Sequence, residues 1–191
     1  MAINTLYLDG GILKSANKTF NNQNPRNIRL EKFFQPAVFS ILQDKLYNLK
    51  FKLKFHPYKY KYFTAKSTEI NSFLNGRYFK NIVQSIIGLK NYKIKYEIRK
   101  FEHGNYTLLH DAEKGKPGID FVIDFSKSNE NFGGFTVYLT ETEELLQLNP
   151  SSNTLSFIER NKNVMKYTKY VTHQQKAPLM FVVGTVLKQK L

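Results

Sequence analysis

The sequence contains no cysteine and no tryptophan. Without cysteine the chain has no disulfide, no thiolate metal ligand and no cysteine nucleophile, which suits a reducing compartment. No run of apolar residues approaches the ~18 that a transmembrane helix needs. The first residues, Met1-Ala2-Ile3-Asn4, lack the basic segment and apolar core of a secretory signal. We therefore expect a cytoplasmic protein that makes no membrane contact.

Acidic residues are also scarce. The 15 Asp and Glu are outnumbered by 29 Lys and Arg, which gives a formal charge of +14 and a pI of about 9.8. Such an excess of positive charge attracts polyanions such as RNA. A lysine-rich composition that only solubilises the surface is the alternative explanation. The distribution of the lysines must decide between the two.

The composition is nevertheless that of a folded protein, because 41% of the residues are hydrophobic and 15% are aromatic. A chain of 191 residues buries one full core and is too short for two ordinary domains. Residues 1–27 are rich in Asn and carry the turn signals Asp9-Gly10 and Asn24-Pro25, which predict an N-terminal arm or loop. Residues 28–191 are then a single domain. No pattern indicates an oligomeric state.

Two helices are predicted ahead of the strands. Pro36 opens the first helix, whose apolar residues recur at helical spacing at Phe39, Leu42, Leu46 and Leu49. The second helix runs from about Tyr78 to Ile87, and Gly88 ends it.

From Asn91 onward, short runs of alternating apolar and polar residues dominate. They lie at 92–99, 106–109, 119–125, 135–139, 144–148, 154–158, 164–172 and 179–187, with turn signals between them. Strands of this number after two helices fit a double-stranded β-helix, or jelly roll, with the helices packed on one outer sheet. The expected fold class is therefore mainly β with flanking helices (α+β).

A lysine-rich stretch lies between the two predicted helices. In residues 50–63 lysines alternate with Phe, Leu and Tyr until Pro57, which predicts an edge strand with one cationic and one apolar face. Lysines on an edge strand block aggregation while the aromatics enter the core. Alternatively, the cationic face binds a phosphate backbone and its tyrosines stack on bases. The candidate nucleic-acid-binding residues are Lys50, Lys52, Lys54, Lys59 and Lys61.

Several motifs follow one another after Arg77. They are Tyr78-Phe79 leading to Ile86-Ile87-Gly88, the strand and turn YEIRKFEHGNYTLLHD at 96–111, FVIDF at 121–125, the Gly133-Gly134 strand start, and Pro150 followed by Asn153. Their order and spacing resemble the iron(II)/2-oxoglutarate oxygenases of the prolyl-hydroxylase type. The resemblance is greatest to the branch that hydroxylates a proline of a small-subunit ribosomal protein. It implies a jelly-roll fold.

Enzymes of this family hold Fe(II) with two histidines and one carboxylate, and a cationic residue pairs with 2-oxoglutarate. The resemblance places His110 at the first metal ligand and Ala112 at the carboxylate. In this sequence Tyr167 occupies the position of the second histidine and Leu179 that of the cationic residue. Phe101 occupies a position where the family often has a tyrosine. The motifs of the scaffold are therefore present, but the residues that bind the metal and 2-oxoglutarate are not. This implies an altered or non-catalytic protein.

Shifted ligands would restore the chemistry. A bulge after His110 would aim Asp111 or Glu113 at the metal, because a bulge redirects a side chain. The candidate metal ligands are His110, Asp111 and His173, and the candidate 2-oxoglutarate contacts are Tyr106 and Lys176.

The sequence is therefore compatible with three functions. The first is a non-catalytic jelly roll that binds RNA or a ribosomal partner through the lysine face, with no cofactor. The second is an active Fe(II)/2-oxoglutarate-dependent prolyl hydroxylase with shifted ligands, acting on a ribosomal or other basic protein. The third is a barrel that binds a small ligand in the old pocket. Fold alone does not choose between them.

Overall fold

The computed structural model describes residues 3–109, 117–127 and 132–189. The helices of this part are α1 Gly10–Asn22, α2 Pro36–Tyr47, α3 Thr68–Asn75 and α4 Arg77–Ile82, which continues into a π-helical turn at Val83–Ile87. The strands are β1 Asn27–Leu30, β2 Lys52–His56, β3 Tyr60–Ala65, β4 Tyr92–Phe101, β5 Tyr106–Thr107, β6 Gly118–Asp124, β7 Thr136–Leu139, β8 Glu144–Leu148, β9 Thr154–Arg160, β10 Met165–Thr168 and β11 Leu179–Lys188.

The strands form one curled antiparallel sheet. Their hydrogen-bonded order is β1-β9-β6-β11-β4-β3-β5-β10-β7-β8, and β2 pairs with β3 off this path. One end of β3 pairs with β4 through Phe63–Ala65, and its other end pairs with β5 through Tyr60 and Lys61. Strand β3 therefore joins two walls, one formed by β9, β6, β11 and β4 and the other by β5, β10, β7 and β8. This is the predicted jelly roll.

Helices cover the outer face of the first wall. Ile98, Phe121, Phe157 and Val182 come from its four strands and are buried in one cluster with Phe79 of α4. The Phe79 ring lies 5.4 Å from the ring of Phe121 and 6.2 Å from that of Phe157, centroid to centroid. The helices thus hold this wall in place from outside, and its inner face is left for the barrel interior.

The structure corrects the prediction of an N-terminal arm or loop at residues 1–27, because α1 lies within them. Asp9 caps this helix by accepting a hydrogen bond from the backbone N of Ile12 at 2.9 Å. Three apolar residues on one helical face are buried in the main core, namely Leu13, Ala16 and Phe20. The stripe is narrow and surrounded by Asn and Lys, so composition alone suggested a loop.

The two predicted helices are confirmed as α2 and α4. In α4 and the turn that follows, Phe79, Ile82, Val83 and Ile86 are fully buried, and Gly88 ends the helix with φ of 80°. Helix α3 was not predicted. Ser67 caps it by accepting a hydrogen bond from the backbone N of Ile70 at 3.3 Å.

Strand β2 is an edge strand, as predicted, but its apolar side does not enter the core. Leu53 is 53% exposed and Phe55 is 58% exposed. Within the described residues β2 pairs with β3 alone, so it extends beyond the area that the helices cover.

None of the helices in the described residues is long and apolar enough to cross a membrane.

Gly184 of β11 lies where Phe121 and the backbone of β4 leave no room for a side chain. A Cβ atom at this position would lie 2.4 Å from Cζ of Phe121 and 2.5 Å from the carbonyl oxygen of Lys95. We predict that Gly184→Ala lowers the free energy of unfolding by about 1–3 kcal/mol, because a packed core cannot take the extra methyl without shifting. Urea denaturation measures this. Gly10→Ala is the control, since nothing lies within 4 Å of its added Cβ. Equal effects of the two substitutions would contradict the packing at Gly184.

Candidate functional site

A cavity of about 350 Å³ lies between the two walls of the barrel. Alternation along each strand turns every second side chain toward it. On β4 the inward residues are Glu97, Arg99 and Phe101, whereas Ile98 between them faces the helices. On β10 the inward residues are Lys166 and Thr168. The site is therefore built from opposite walls of the jelly roll.

Glu97 is the centre of one charged group in this cavity. Its carboxylate accepts hydrogen bonds from Lys54 Nζ at 2.5 Å, from Arg99 Nε at 2.9 Å and from the Tyr62 hydroxyl at 3.1 Å. The Arg99 guanidinium also lies 4.6 Å from the centroid of the Tyr62 ring. Burial alone would raise the pKa of Glu97, but the charges and hydrogen bonds of Arg99 and Lys54 outweigh it and lower the pKa to about 2.

Asp120 of β6 is the centre of a second charged group and is only 1% exposed. It accepts hydrogen bonds from Lys166 Nζ and from the Thr185 hydroxyl, both at 2.7 Å, and forms an ion pair with Arg160 Nε at 3.3 Å. Tyr138 donates to it at 3.4 Å. Burial would raise the pKa of Asp120, but the charges of Lys166 and Arg160 lower it overall. Asp120 therefore stays ionised and holds Lys166 at the cavity wall.

Hydroxyl groups and aromatic rings complete the lining. Thr107, Thr136 and Thr168 lie together on the second wall, with Thr136 Oγ1 3.3 Å from Thr168 Oγ1 and the backbone N of Thr168 2.7 Å from Thr107 Oγ1. Aromatic and aliphatic side chains from β3, β4, β6 and β11 cover the rest. The cavity is thus polar on one side and apolar on the other.

The residues predicted from the sequence to bind metal or 2-oxoglutarate, where they lie in the described part of the chain, do not line this cavity. Tyr106 donates its hydroxyl to the carbonyl oxygen of Pro57 at 3.3 Å and pairs with Lys61. His173 is exposed, with its ring 6.3 Å from that of His103, and Lys176 is exposed as well. The predicted ligands His110 and Asp111, with Ala112, lie outside the described residues.

Three positions that the resemblance assigns to the chemistry are described. Phe101 and Leu179 are 1% and 0% exposed and pack in a small apolar cluster with Tyr62, Val171 and Phe181. Tyr167 lies between the inward-facing Lys166 and Thr168, so alternation turns it to the other face of β10. Neither of its inward neighbours is a histidine.

The lysines of the predicted nucleic-acid face separate into two groups. Lys50 and Lys52 are exposed, and Lys59 and Lys61 are half-buried around the turn between β2 and β3. Lys54 differs from the expectation of a solvent-facing lysine, because its ammonium pairs with Glu97 inside the barrel. Lys54 turns inward because the carboxylate of Glu97 loses hydration inside the barrel and needs a cation beside it.

Glu97, Arg99, Asp120 and Lys166 were not predicted as site residues. The period-2 pattern of β4, β6 and β10 could have predicted that these side chains point into the barrel. The ion pairs between them depend on which strands face each other across the barrel. The alternating pattern of the sequence does not predict this arrangement.

Comparison with known proteins identifies the family of this chain. The sequence model of the family described as "Oxoglutarate and iron-dependent oxygenase degradation C-term" matches residues 56–189. The chain belongs to this family. The match includes β3 to β11 and hence both walls of the barrel.

Two curated relatives share part of this sequence. Prolyl 3-hydroxylase OGFOD1 of Mus musculus is 33% identical over 82 residues, which are 41% of this chain and 15% of the mouse protein. Prolyl 3-hydroxylase OGFOD1 of Xenopus laevis is 33% identical over 85 residues, 41% of this chain and 16% of the frog protein. The matched region thus spans about a sixth of the length of these relatives.

Solved structures share the fold. A prolyl-4-hydroxylase of Pseudomonas putida superposes with a TM-score of 0.70 at 9% identity, covering 93% of this chain and 100% of that one. A prolyl hydroxylase of Trichoplax adhaerens, in complex with a hypoxia inducible factor peptide fragment, gives 0.64 at 12% identity, covering 96% and 92%. HygX of Streptomyces hygroscopicus, with nickel, 2-oxoglutarate and hygromycin B bound, gives 0.64 at 10% identity, covering 92% and 87%. The fold is that of the 2-oxoglutarate oxygenases.

The described residues do not fit the iron and 2-oxoglutarate that the sequence resemblance implies. Across residues 3–109, 117–127 and 132–189, no three His, Asp or Glu side chains come together as a metal site. Two carboxylates inside the barrel, Glu97 and Asp120, are each engaged by cations. The position that the resemblance assigns to the 2-oxoglutarate cation is the buried Leu179.

The low pKa of Glu97 gives a prediction about pH. An ionised Glu97 stabilises the fold above the unfolded value near 4.5, and this stabilisation is lost as the pH falls toward 2. We predict that Glu97→Gln lowers the free energy of unfolding by about 1–2 kcal/mol at pH 6, and that its difference from the wild type shrinks on acidification. Urea titrations at several pH values measure this.

Glu144→Gln on β8 serves as the control, because Glu144 is exposed. Its effect on the free energy of unfolding at pH 6 should be small, because the side chain is exposed. A Glu97→Gln difference that does not change with pH would contradict the role given to the ion pairs.

Proposed function

We propose that this chain is a non-catalytic prolyl-hydroxylase-like jelly roll that binds single-stranded RNA, such as an exposed segment of ribosomal RNA, through the β2–β3 hairpin. The observation that carries the proposal is the composition of that hairpin's surface, where aromatic rings stand in solvent among lysines. The absence of catalysis is supported by the ion pairs of Glu97 and Asp120, which engage these two carboxylates of the barrel interior.

The exposed aromatics of the hairpin lie close together. Tyr58 at the turn is 81% exposed and Phe55 of β2 is 58% exposed. Lys61 lies directly across from Phe55 on β3, so the ring and the ammonium share one face of the hairpin. Exposed apolar groups gathered in one place mark interaction surfaces.

The chemistry of this surface suits single-stranded nucleic acid. Rings that stand free in solvent stack on bases of any sequence, and neighbouring lysines bind the phosphates between those bases. Lys50, Lys52 and Lys59 supply further cations on or next to the hairpin. Lys54 is not included, because it is engaged inside the barrel.

A double substitution tests the proposal. Lys59→Gln with Lys61→Gln removes two cations beside Tyr58, so the log-log dependence of RNA affinity on salt should become shallower by about 1.4. Tyr58→Ala should weaken binding by about 1–3 kcal/mol and leave the slope unchanged, because stacking is uncharged. Filter binding of single-stranded RNA at several salt concentrations measures both.

The matched control is Lys93→Gln with Lys95→Gln. These lysines are exposed on β4, outside the hairpin, and their removal changes the net charge equally. An equal change of slope in the two double variants would mean that binding follows net charge alone. Absence of RNA binding by the wild type would refute the proposal and leave a protein partner as the alternative for this surface.

A further inference from the structure

Three exposed aromatic rings gather beside the β2–β3 hairpin, in loops that the hairpin does not include. Tyr170 follows β10 and is 47% exposed, and His103 and His173 are exposed as well. The Tyr170 hydroxyl lies 3.3 Å from Nε2 of His103, and the rings of His103 and His173 are 6.3 Å apart, centroid to centroid. His103, Tyr170 and His173 form the ring cluster.

The rings of this cluster meet edge to face. The angle between ring planes is 89° for His103 and Tyr170, and 81° for His103 and His173. An edge-to-face contact covers at most one face of one ring, so most ring faces in the cluster are not covered by another member. Aromatic faces that are open to solvent are the surfaces on which the bases of single-stranded nucleic acids stack.

Backbone hydrogen bonds hold the two loops of the ring cluster together. The backbone N of Gly104 donates to the carbonyl oxygen of Val171, and the backbone N of Val171 donates to that of Asn105, both at 3.0 Å. Val171 is buried in an apolar cluster with Phe101, and Asn105 is also buried. The rings therefore project from an anchored backbone, which lowers the entropic cost of binding a ligand.

The ring cluster adjoins the cationic side of the hairpin. A Cβ atom on Gly104 would lie 3.7 Å from the Tyr170 hydroxyl and 3.9 Å from Lys61 Nζ. Lys61 pairs with Tyr106 of β5 on one side and with Phe55 of β2 on the other. The Lys61 ammonium therefore lies next to the ring cluster, and the exposed ring of Phe55 lies across the hairpin from the same residue. The two surfaces are continuous.

We propose that RNA bound at the hairpin continues past Lys61 onto the ring cluster, where Tyr170 and His173 stack on bases beyond those that Tyr58 and Phe55 hold. Lys61 binds the phosphate between the two sets of bases. This inference rests on RNA binding at the hairpin and adds a second base-binding surface, formed by the β4–β5 turn and the segment after β10. Rings that alternate with cations are typical of surfaces that follow a single strand.

Substitution of Tyr170 tests the inference. Tyr170→Ala should weaken binding of a single-stranded RNA of about ten nucleotides about fivefold or more, the size of one lost base stack, and leave the salt dependence unchanged. Tyr170→Phe keeps the ring and should retain the affinity, whereas Tyr170→Leu keeps only the bulk and should not. Tyr78→Ala is the matched control, because Tyr78 is an exposed tyrosine on α4, in the helical layer outside the first wall. Fluorescence polarisation of labelled RNA measures the affinities.

Photocrosslinking measures where the RNA lies. An RNA of the same length that contains 4-thiouridine should give adducts both in the hairpin and in the tryptic peptide of residues 170–176. Adducts in the hairpin alone, or equal affinities of Tyr170→Ala and Tyr78→Ala, would overturn the extension onto the ring cluster and leave the proposed function intact. No RNA binding by the wild type would overturn both.

Urea denaturation checks that each variant is folded. Should Tyr170→Ala fail to fold, His173→Ala provides the same test, because its side chain is exposed. Equal affinities of His173→Ala and Tyr78→Ala would then overturn the extension.

Discussion

Ion pairs inside the barrel connect strands that lie far apart in the sequence. Glu97 and Asp120 point inward from the helix-covered wall, and cations from other strands meet them there: Lys54 from β2 and Lys166 from β10. A charge buried without a partner destabilises a fold by several kcal/mol, whereas a paired and hydrogen-bonded one is tolerated. The register of these strands is therefore coupled to the charges that they carry.

This arrangement separates the scaffold from the chemistry of its structural neighbours. An iron site needs a carboxylate and two histidines that are free to bind metal and are aimed at one point. Glu97 and Asp120 already have cationic partners, and Leu179 and Phe101 are buried in an apolar cluster. Jelly rolls host many functions on one scaffold.

The sequence predicted most of the strands but not the pairing between side chains. Period-2 alternation located β4, β6 and β11 within a residue or two, because one face of each is buried against helices. Helix α1 was missed because an Asp9 cap and a narrow apolar stripe are weak signals in an Asn-rich segment. Lys54 was assigned to solvent because its partner, Glu97, is 43 positions away in sequence and approaches only when β3 pairs with β4.

Metal binding is the property that tests this account most directly. Equilibrium dialysis of the whole chain against Fe(II) and 2-oxoglutarate without oxygen, followed by metal analysis, measures it and includes His110 and Asp111, the predicted ligands outside the described residues. We expect the chain to retain no more iron than a dialysis control that lacks protein. Retention of one Fe(II) per chain that requires 2-oxoglutarate, and that is lost in His110→Ala, would contradict it.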